Sequence, residues 1–312
     1  MTESAGPGAR SVVVAGGAGA VGSMFADRWR SGGDLVHILD ATSGDDIRAP
    51  GPEATARVRA ADIVVLAVPE NVAVASLGTV RSLMRPTAML VETLSVKTRF
   101  AAAVGGLDES RCATTGPAVG VNPMFAPSLG LPGRAIAVVV HRDGPGVDRL
   151  IDDLARWGAR VQVTTADRHD RLCAAVQALT HATILSFGVA LADLGVEADE
   201  AATLATPPFM TMSAMLARVA GGTPEVYRDV QSSNPCASTA RDALARAVSR
   251  VSATCDGDSD TDEFTALLAR AGAPLGDRGS EYAGLCAQLF AGLASSPARC
   301  PTTRPPTRWR RR

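Results

Sequence analysis

Ser11-Val12-Val13-Val14-Ala15-Gly16-Gly17-Ala18-Gly19-Ala20-Val21-Gly22 is the stretch that decides the fold. Its first five residues have the apolar, β-branched character of a buried strand. They run into a glycine cluster that opens a helical pattern over Val21–Ser31. Gly17, Gly19 and Gly22 have the spacing Gly-x-Gly-x-x-Gly, and each has a physical task. Gly17 permits the tight turn, Gly19 lets backbone approach a pyrophosphate, and Gly22 allows close packing of helix on strand. The helix start, with Ala20 and Val21, then turns its free N–H groups to the phosphates. Asp40 ends the second strand pattern, eighteen residues beyond Gly22. A carboxylate there accepts from the adenosine ribose hydroxyls and repels a 2′-phosphate, which favours NAD over NADP. Val68 and Pro69 close the third strand pattern, where such sheets meet the cofactor, and join the cofactor-binding set.

Working outward, short apolar runs alternate with helical patterns. Leu35–Leu39, Ile63–Val68, Met89–Glu92 and Ala135–Val140 read as strands, with Arg160–Thr164 as an edge strand. Continuous apolar strands separated by helices predict a parallel sheet covered on both faces. From Asp167 the pattern changes. His169–Leu194 is one long helical stretch stopped by Gly195, and its apolar residues lie nearly all round. That predicts burial on several sides, with a second subunit as one source of cover. Helical segments follow near 208–220, 224–233, 237–254, 261–271 and 278–294, without a strand signal. The expected architecture is an α/β Rossmann-type parallel-sheet domain over 10–167 and an all-α domain over 168–296. A Pro/Arg-rich tail over 297–312 has little to bury and is expected to be disordered.

Composition narrows the partners. The chain has 312 residues, 46% hydrophobic and 20% charged, with a net charge of −1, so bulk electrostatics favour neither nucleic acid nor an anionic membrane. No apolar run reaches the roughly 18 residues of a spanning helix. The N-terminus lacks the basic and apolar regions of a signal peptide, which predicts a cytoplasmic protein. The six cysteines are scattered without a Cys-x-x-Cys pair, so reduced, mostly buried thiols are expected and no metal site. Lys97 is the only lysine, which singles it out for a role.

Several segments, in order, resemble the prephenate dehydrogenase family. They are the glycine segment 14–22, Leu90-Val91-Glu92-Thr93-Leu94-Ser95-Val96-Lys97, Asn122-Pro123-Met124-Phe125, His169-Asp170, Gln177-Ala178-Leu179-Thr180-His181, and Pro207 through Arg218. The resemblance runs collinearly over about residues 11–295 and implies NAD-dependent oxidation of a cyclohexadienyl dicarboxylate with loss of carbon dioxide. It implies a homodimer through the helical domain. It also places Ser95 beside carbon 4 of the ring, and His181, with Gln177 one helical turn before it, facing the substrate. Arg218 matches a carboxylate-binding arginine, whose planar fork suits a bidentate contact. Lys97 lies near the substrate or braces the loop. His169 is a catalytic candidate, with helix-start capping and interdomain hydrogen bonding as its alternative.

Asn122 departs from the family pattern, which has histidine there. The histidine accepts from the carbon-4 hydroxyl as hydride leaves, relieving an oxocarbenium-like centre of its proton. An asparagine carbonyl accepts a hydrogen bond but cannot remove the proton. A carbon-4 amine would need no such base, because its lone pair supports hydride loss as an iminium. The resemblance with Asn122 therefore implies oxidation of 4-amino-4-deoxyprephenate to 4-aminophenylpyruvate, in an antibiotic-type secondary pathway. Two alternatives stay open: a prephenate or arogenate dehydrogenase of tyrosine biosynthesis, and a NAD-binding regulator without turnover.

Overall fold

The computed structural model describes residues 8–106, 116–256 and 261–294. Cys112, Cys300 and the tail 297–312 lie outside the described residues. The first part of the chain forms a seven-stranded sheet. Its strands are β1 (Ser11–Ala15), β2 (Leu35–Leu39), β3 (Ile63–Leu66), β4 (Met89–Glu92), β5 (Ala118–Pro123), β6 (Ala135–Arg142) and β7 (Arg160–Thr164). They lie in the order β2-β1-β3-β4-β5-β6-β7. Helices α1 (Ala20–Ser31), α2 (Pro52–Ala60), α3 (Glu70–Leu83), α4 (Thr98–Gly105) and α5 (Val147–Arg156) connect them. One core packs Val13, Val64 and Leu90 against Val58, Leu77 and Phe100. The other packs Val12, Val65 and Val138 against Phe25, Trp29 and Leu150. Alternate residues of each strand thus serve opposite faces, as the pleat requires.

The sheet differs from the all-parallel expectation at one step, because β5 and β6 pair antiparallel. β5 itself escaped the sequence reading. Its Ala-Val-Gly-Val-Asn-Pro contains a glycine, an asparagine and a proline, all disfavoured in strands. Residues 120–123, where no strand was expected, are therefore strand. β3 also ends at Leu66, leaving Ala67 and Val68 in the following turn.

From Ala166 the chain is helical, and among the described residues no strand follows β7. α6 (Ala166–Cys173), a π-helical turn (Ala174–Leu179) and α7 (Thr180–Asp193) run on without a break, ended by Gly195 at φ +66°. Shorter α8 (Ala198–Ala202) and longer α9 (Pro207–Ala220), α10 (Pro224–Ser232), α11 (Ala237–Asp256), α12 (Thr261–Gly272) and α13 (Gly279–Ala294) follow. Ala166–Asp193 spans 28 residues and, by length and composition alone, is long and apolar enough to cross a membrane. That corrects the expectation of no such segment: scattered Thr, His and Ser interrupt the run without lowering its average enough. The expectation of burial on several sides also fails within this chain. Ile184 is the buried residue of α7, whereas Val189 and Leu185 are exposed.

By compactness, residues up to Ala178 with Thr223–Ser238 form one unit, and Leu179–Gly222 with Thr239 onward form another. These units do not coincide with a split at 167/168. The returning segment is held in the first unit by Asn234 Nδ2 donating to Asp170 O at 2.8 Å and Gln231 Nε2 donating to Ala178 O at 2.7 Å. Val230 and Ala237 pack there on Ala178. Within the second unit, Phe187 of α7 meets Phe209 of α9 at 6.0 Å between ring centroids. The cysteines are not mostly buried: Cys173 is, but Cys255 and Cys286 are exposed on surface helices.

Candidate active site

Strand register assembles the site. Leu39, Ala15, Leu66, Glu92 and Gly120 pair successively across β2, β1, β3, β4 and β5, all parallel. The glycine turn follows Ala15, Asp40 follows Leu39, Ala67-Val68 follow Leu66, and Asn122 lies two residues past Gly120. They share the carboxyl edge of the sheet, where the strand order reverses between β1 and β3 and where ligands of such sheets bind. β1 and β5 are three strand spacings apart, about 14 Å.

At the turn, the glycine with positive φ is Gly16 (+77°), not Gly17, and a Cβ there would collide with Ala67 O. This moves the tight-turn role one residue back. Gly17 lies in the turn between strand and helix and excludes a side chain because Ile38 Cδ1 would lie 2.5 Å away. Gly19 caps α1 without any side-chain hydrogen bond, and Ala20 is exposed at the helix start. Val21 is half-buried in the first turn, where Gly22 packs closely on Gly16. Asp40 accepts from Ala18 N at 3.1 Å and from Thr42 Oγ1 at 2.7 Å, bracing the turn from β2. The Thr42 hydroxyl and amide, with Ala18 N, hold its carboxyl below the usual range. Val68 Cγ1 would lie 3.0 Å from a Cβ at Gly16, and Pro69 precedes α3. A bare helix start, glycine backbone and an ionised carboxylate are the donor and acceptor set a dinucleotide needs.

Beyond the turn lies a buried ionic cluster that the sequence reading missed. Glu92 ends β4 and accepts from Lys97 Nζ at 2.8 and 2.9 Å, His141 Nε2 at 2.8 Å and Leu94 N at 2.6 Å. All three side chains are fully buried. Burial pushes the Glu92 carboxyl up, but the Lys97 charge and His141 outweigh it and hold it below the usual range. Burial likewise pulls the Lys97 ammonium down against the attraction of Glu92. Gly120 makes room for the cluster: a Cβ there would collide with Glu92 Oε1 and lie 2.9 Å from His141 Nε2 and 3.0 Å from Lys97 Nζ. Lys97 was a substrate-contact candidate. The structure spends its ammonium on Glu92, so it braces the β4–α4 loop that carries half-buried Ser95. A carboxylate ending an apolar strand, beside a lone lysine, was the available signal.

The second cluster contains Asn122, 2% exposed, with its Nδ2 3.0 Å from His169 Nε2. His169 Nδ1 lies 2.7 Å from Asp170 Oδ1. Asp170 also accepts from Lys97 N (2.9 Å), Thr98 N (2.9 Å) and Thr98 Oγ1 (2.7 Å), capping the start of α4 from α6. Burial raises that carboxyl, and His169, Thr98 and the Lys97 amide more than reverse the effect. His169 and Asp170 are not the cap of their own helix, since Thr165 is.

Gln177 falls inside the π turn, so α-helical spacing does not carry from it to His181. Its Oε1 is buried without a hydrogen-bond partner among the described residues. His181, half-buried in α7, has its pKa lowered first by burial and then by the charge of Arg218. Arg218 is exposed in the last turn of α9. The structure thus couples these two within the helical unit, as a cation beside an imidazole.

Residues 165–270 match the family described as "Prephenate dehydrogenase, dimerization domain". A 4-amino-4-deoxyprephenate dehydrogenase from Streptomyces pristinaespiralis is 49% identical over 90% of this chain and 96% of its own length. Arogenate dehydrogenase from Synechocystis has a similar fold, with a TM-score of 0.57 and 18% identity over 86% of this chain and 99% of that one. So does a prephenate dehydrogenase from A. aeolicus, crystallised with hydroxyphenyl propionate and NAD+, with a TM-score of 0.57 and 17% identity over 91% and 98%. The identity to the first relative, sustained along nearly both lengths, establishes that the chain belongs to the prephenate dehydrogenase family.

Proposed function

We propose that the protein catalyses NAD-dependent oxidative decarboxylation of 4-amino-4-deoxyprephenate to 4-aminophenylpyruvate. One observation carries this reading: an amide, Asn122, stands near the end of β5 with its Nδ2 3.0 Å from His169 Nε2, in a chain so similar to a dehydrogenase of that substrate. Gly16 and Gly19 shape the turn for the dinucleotide, and Asp40 selects NAD by its ionised carboxyl. NAD supplies the hydride acceptor when bound. The Asn122 carbonyl accepts from the carbon-4 N–H while the nitrogen lone pair moves in to form the C=N bond of an iminium. The electron pair of the breaking C1–carboxylate bond then enters the ring, carbon dioxide leaves, and the nitrogen regains its pair as an aniline. No proton need leave the nitrogen, so an acceptor suffices where a hydroxyl substrate calls for a base. Ser95 hydrogen-bonds near carbon 4, and Arg218 and His181, with Gln177, receive the carboxylate-bearing parts of the substrate.

The working form is a cytoplasmic homodimer, an assignment supported by the family match at 165–270 and by exposed Val189, Leu268 and Leu289 on the helices. A pathway to an amino-substituted aromatic metabolite is the fitting context. A second reading, a prephenate or arogenate dehydrogenase, is favoured by the His169 imidazole only 3.0 Å behind Asn122. Purified protein should form NADH from 4-amino-4-deoxyprephenate with the higher kcat/KM. Equal or greater kcat/KM on prephenate would overturn the amino assignment, and Asn122→His is expected to shift preference toward the hydroxyl substrate.

A further inference from the structure

Asn122 has two amide hydrogens, and both have acceptors inside the protein. Nδ2 lies 3.0 Å from His169 Nε2 and 3.5 Å from Met124 Sδ. For Nδ2 to donate to the ring, Nε2 must carry a lone pair. The other ring nitrogen agrees, because Nδ1 faces Asp170 Oδ1 at 2.7 Å, and a carboxylate offers only lone pairs. Asp170 cannot turn away. Lys97 N, Thr98 N and Thr98 Oγ1 hold its two oxygens, and all three are donors. Cys173 Sγ also lies 3.5 Å from Nε2, and burial pushes that thiol up to about 12, so it keeps a hydrogen to point at the ring. Turning the Asn122 amide over would set Oδ1 against the thioether lone pairs of Met124 and against bare Nε2.

We infer that Asp170, acting through His169, locks the Asn122 amide nitrogen inward, so that Oδ1 is the only hydrogen-bonding atom residue 122 can offer a ligand. The inference rests on the amino-substrate reading and deepens it: position 122 is an acceptor by construction. It recognises a carbon-4 substituent that donates and disfavours one that only accepts, such as a ring carbonyl. An amine meets that requirement throughout, since amine, iminium and aniline all keep N–H donors. The hydrogen bond strengthens as the nitrogen becomes cationic, which is when the transition state needs it. Asp170 and His169 are then positioning residues and Asn122 the group that touches substrate.

Histidine labelled with 15N in the full-length protein tests this by a long-range 1H–15N spectrum, His169 being assigned by its loss in His169→Gln. The expected result is a protonated Nδ1 and a bare, pyridine-like Nε2. Asn122→Asp removes the inward donor and is expected to convert His169 to the doubly protonated ring. A protonated Nε2 in the wild-type protein overturns the inference. Asp170→Asn offers Nδ1 a donor, drives the proton to Nε2 and turns Asn122 over. The KM for 4-amino-4-deoxyprephenate should then rise about tenfold, with that for NAD changed less than about twofold. An unchanged substrate KM in folded Asp170→Asn also overturns it. Turnover of prephenate alone would sink the substrate assignment and leave the spectrum to decide the orientation. A protonated Nε2 with intact turnover of the amino substrate would sink the orientation alone.

Discussion

The sheet unit and the helical unit solve burial in opposite ways. In the first, strand residues such as Val13, Val64 and Leu90 are fully buried, and even Glu92, Lys97 and Asp170 are enclosed with partners. In the second, among the described residues, Ile184 and Val219 are the buried hydrophobics, while Val189, Leu204, Leu268 and Leu289 are exposed. One unit holds its charges by self-made contacts and pays for them with a glycine at 120. The other exposes apolar surface of the kind a partner subunit covers. A sheet covered by its own crossover helices closes a core within one chain, whereas a bundle of short amphipathic helices leaves some faces to a neighbour.

The comparison breaks first at its glycines. Gly120→Ala should cost more than about 4 kcal/mol or prevent folding, because the added Cβ meets a buried ion pair that cannot retreat. Gly188→Ala, whose Cβ would meet Leu216 methyls at 2.7 and 2.8 Å, should cost about 1 kcal/mol, since that side chain can rotate. Denaturant titration of both gives the contrast, and equal costs would erase it.

Lys97→Met leaves the buried Glu92 carboxylate with only His141 and the Leu94 amide and should cost about 3–5 kcal/mol. Adding Glu92→Leu should recover much of it, as expected if the penalty is an unpaired charge. Absence of recovery would mean that the cluster does more than neutralise itself. Next in size, Leu90→Ala in the sheet core should cost about 3 kcal/mol at any protein concentration. Leu289→Ala should cost under about 1 kcal/mol in the single chain and should instead weaken self-association in sedimentation runs. Unchanged self-association would remove Leu289 from the interface.

Acid should separate the two units as well. Glu92 and Asp170 have folded pKa values below their ordinary 4.5 and 3.8. Their stabilisation is therefore complete above those values and is lost as pH falls through the folded ones. His181 is a base with a lowered pKa, so below 6.5 the unfolded chain takes up a proton that the folded chain resists. Stability should start to fall near pH 6.5 through the helical unit and again below 4.5 through the sheet unit. The smallest effect expected is in Arg218→Gln, which removes the secondary, repulsive cause and should raise the His181 pKa part-way toward 6.5 in an NMR titration. Burial, the larger cause, stays.

Much of this was legible in the chain. The strands Ser11–Ala15 and Met89–Glu92 stand where the apolar runs placed them, because buried strands leave uninterrupted apolar segments, and the half-buried Leu35–Leu39 and the more exposed edge strand Arg160–Thr164 also stand where expected. The last five helices stand close to their 3.6-residue patterns and stop signals. β5 did not show, since Gly120, which makes room for the Glu92 cluster, and Asn122 weaken the strand signal. The π turn at Ala174–Leu179 has no compositional mark, and it shifts what Gln177 shares with His181.

The residues by themselves determined the nucleotide turn and the change from sheet to helices and singled out Asn122 as a candidate, because each depends on local pattern or on one side chain's chemistry. Only the folded chain decided that Gly16 makes the turn and that Lys97 is enclosed with Glu92. It also decided that His169 and Asp170 stand behind Asn122, 47 residues away in sequence for the histidine. Such contacts depend on strand register and on how α6 meets the sheet. Hydrogen-bond direction is then set by neighbours that no linear spacing brings together.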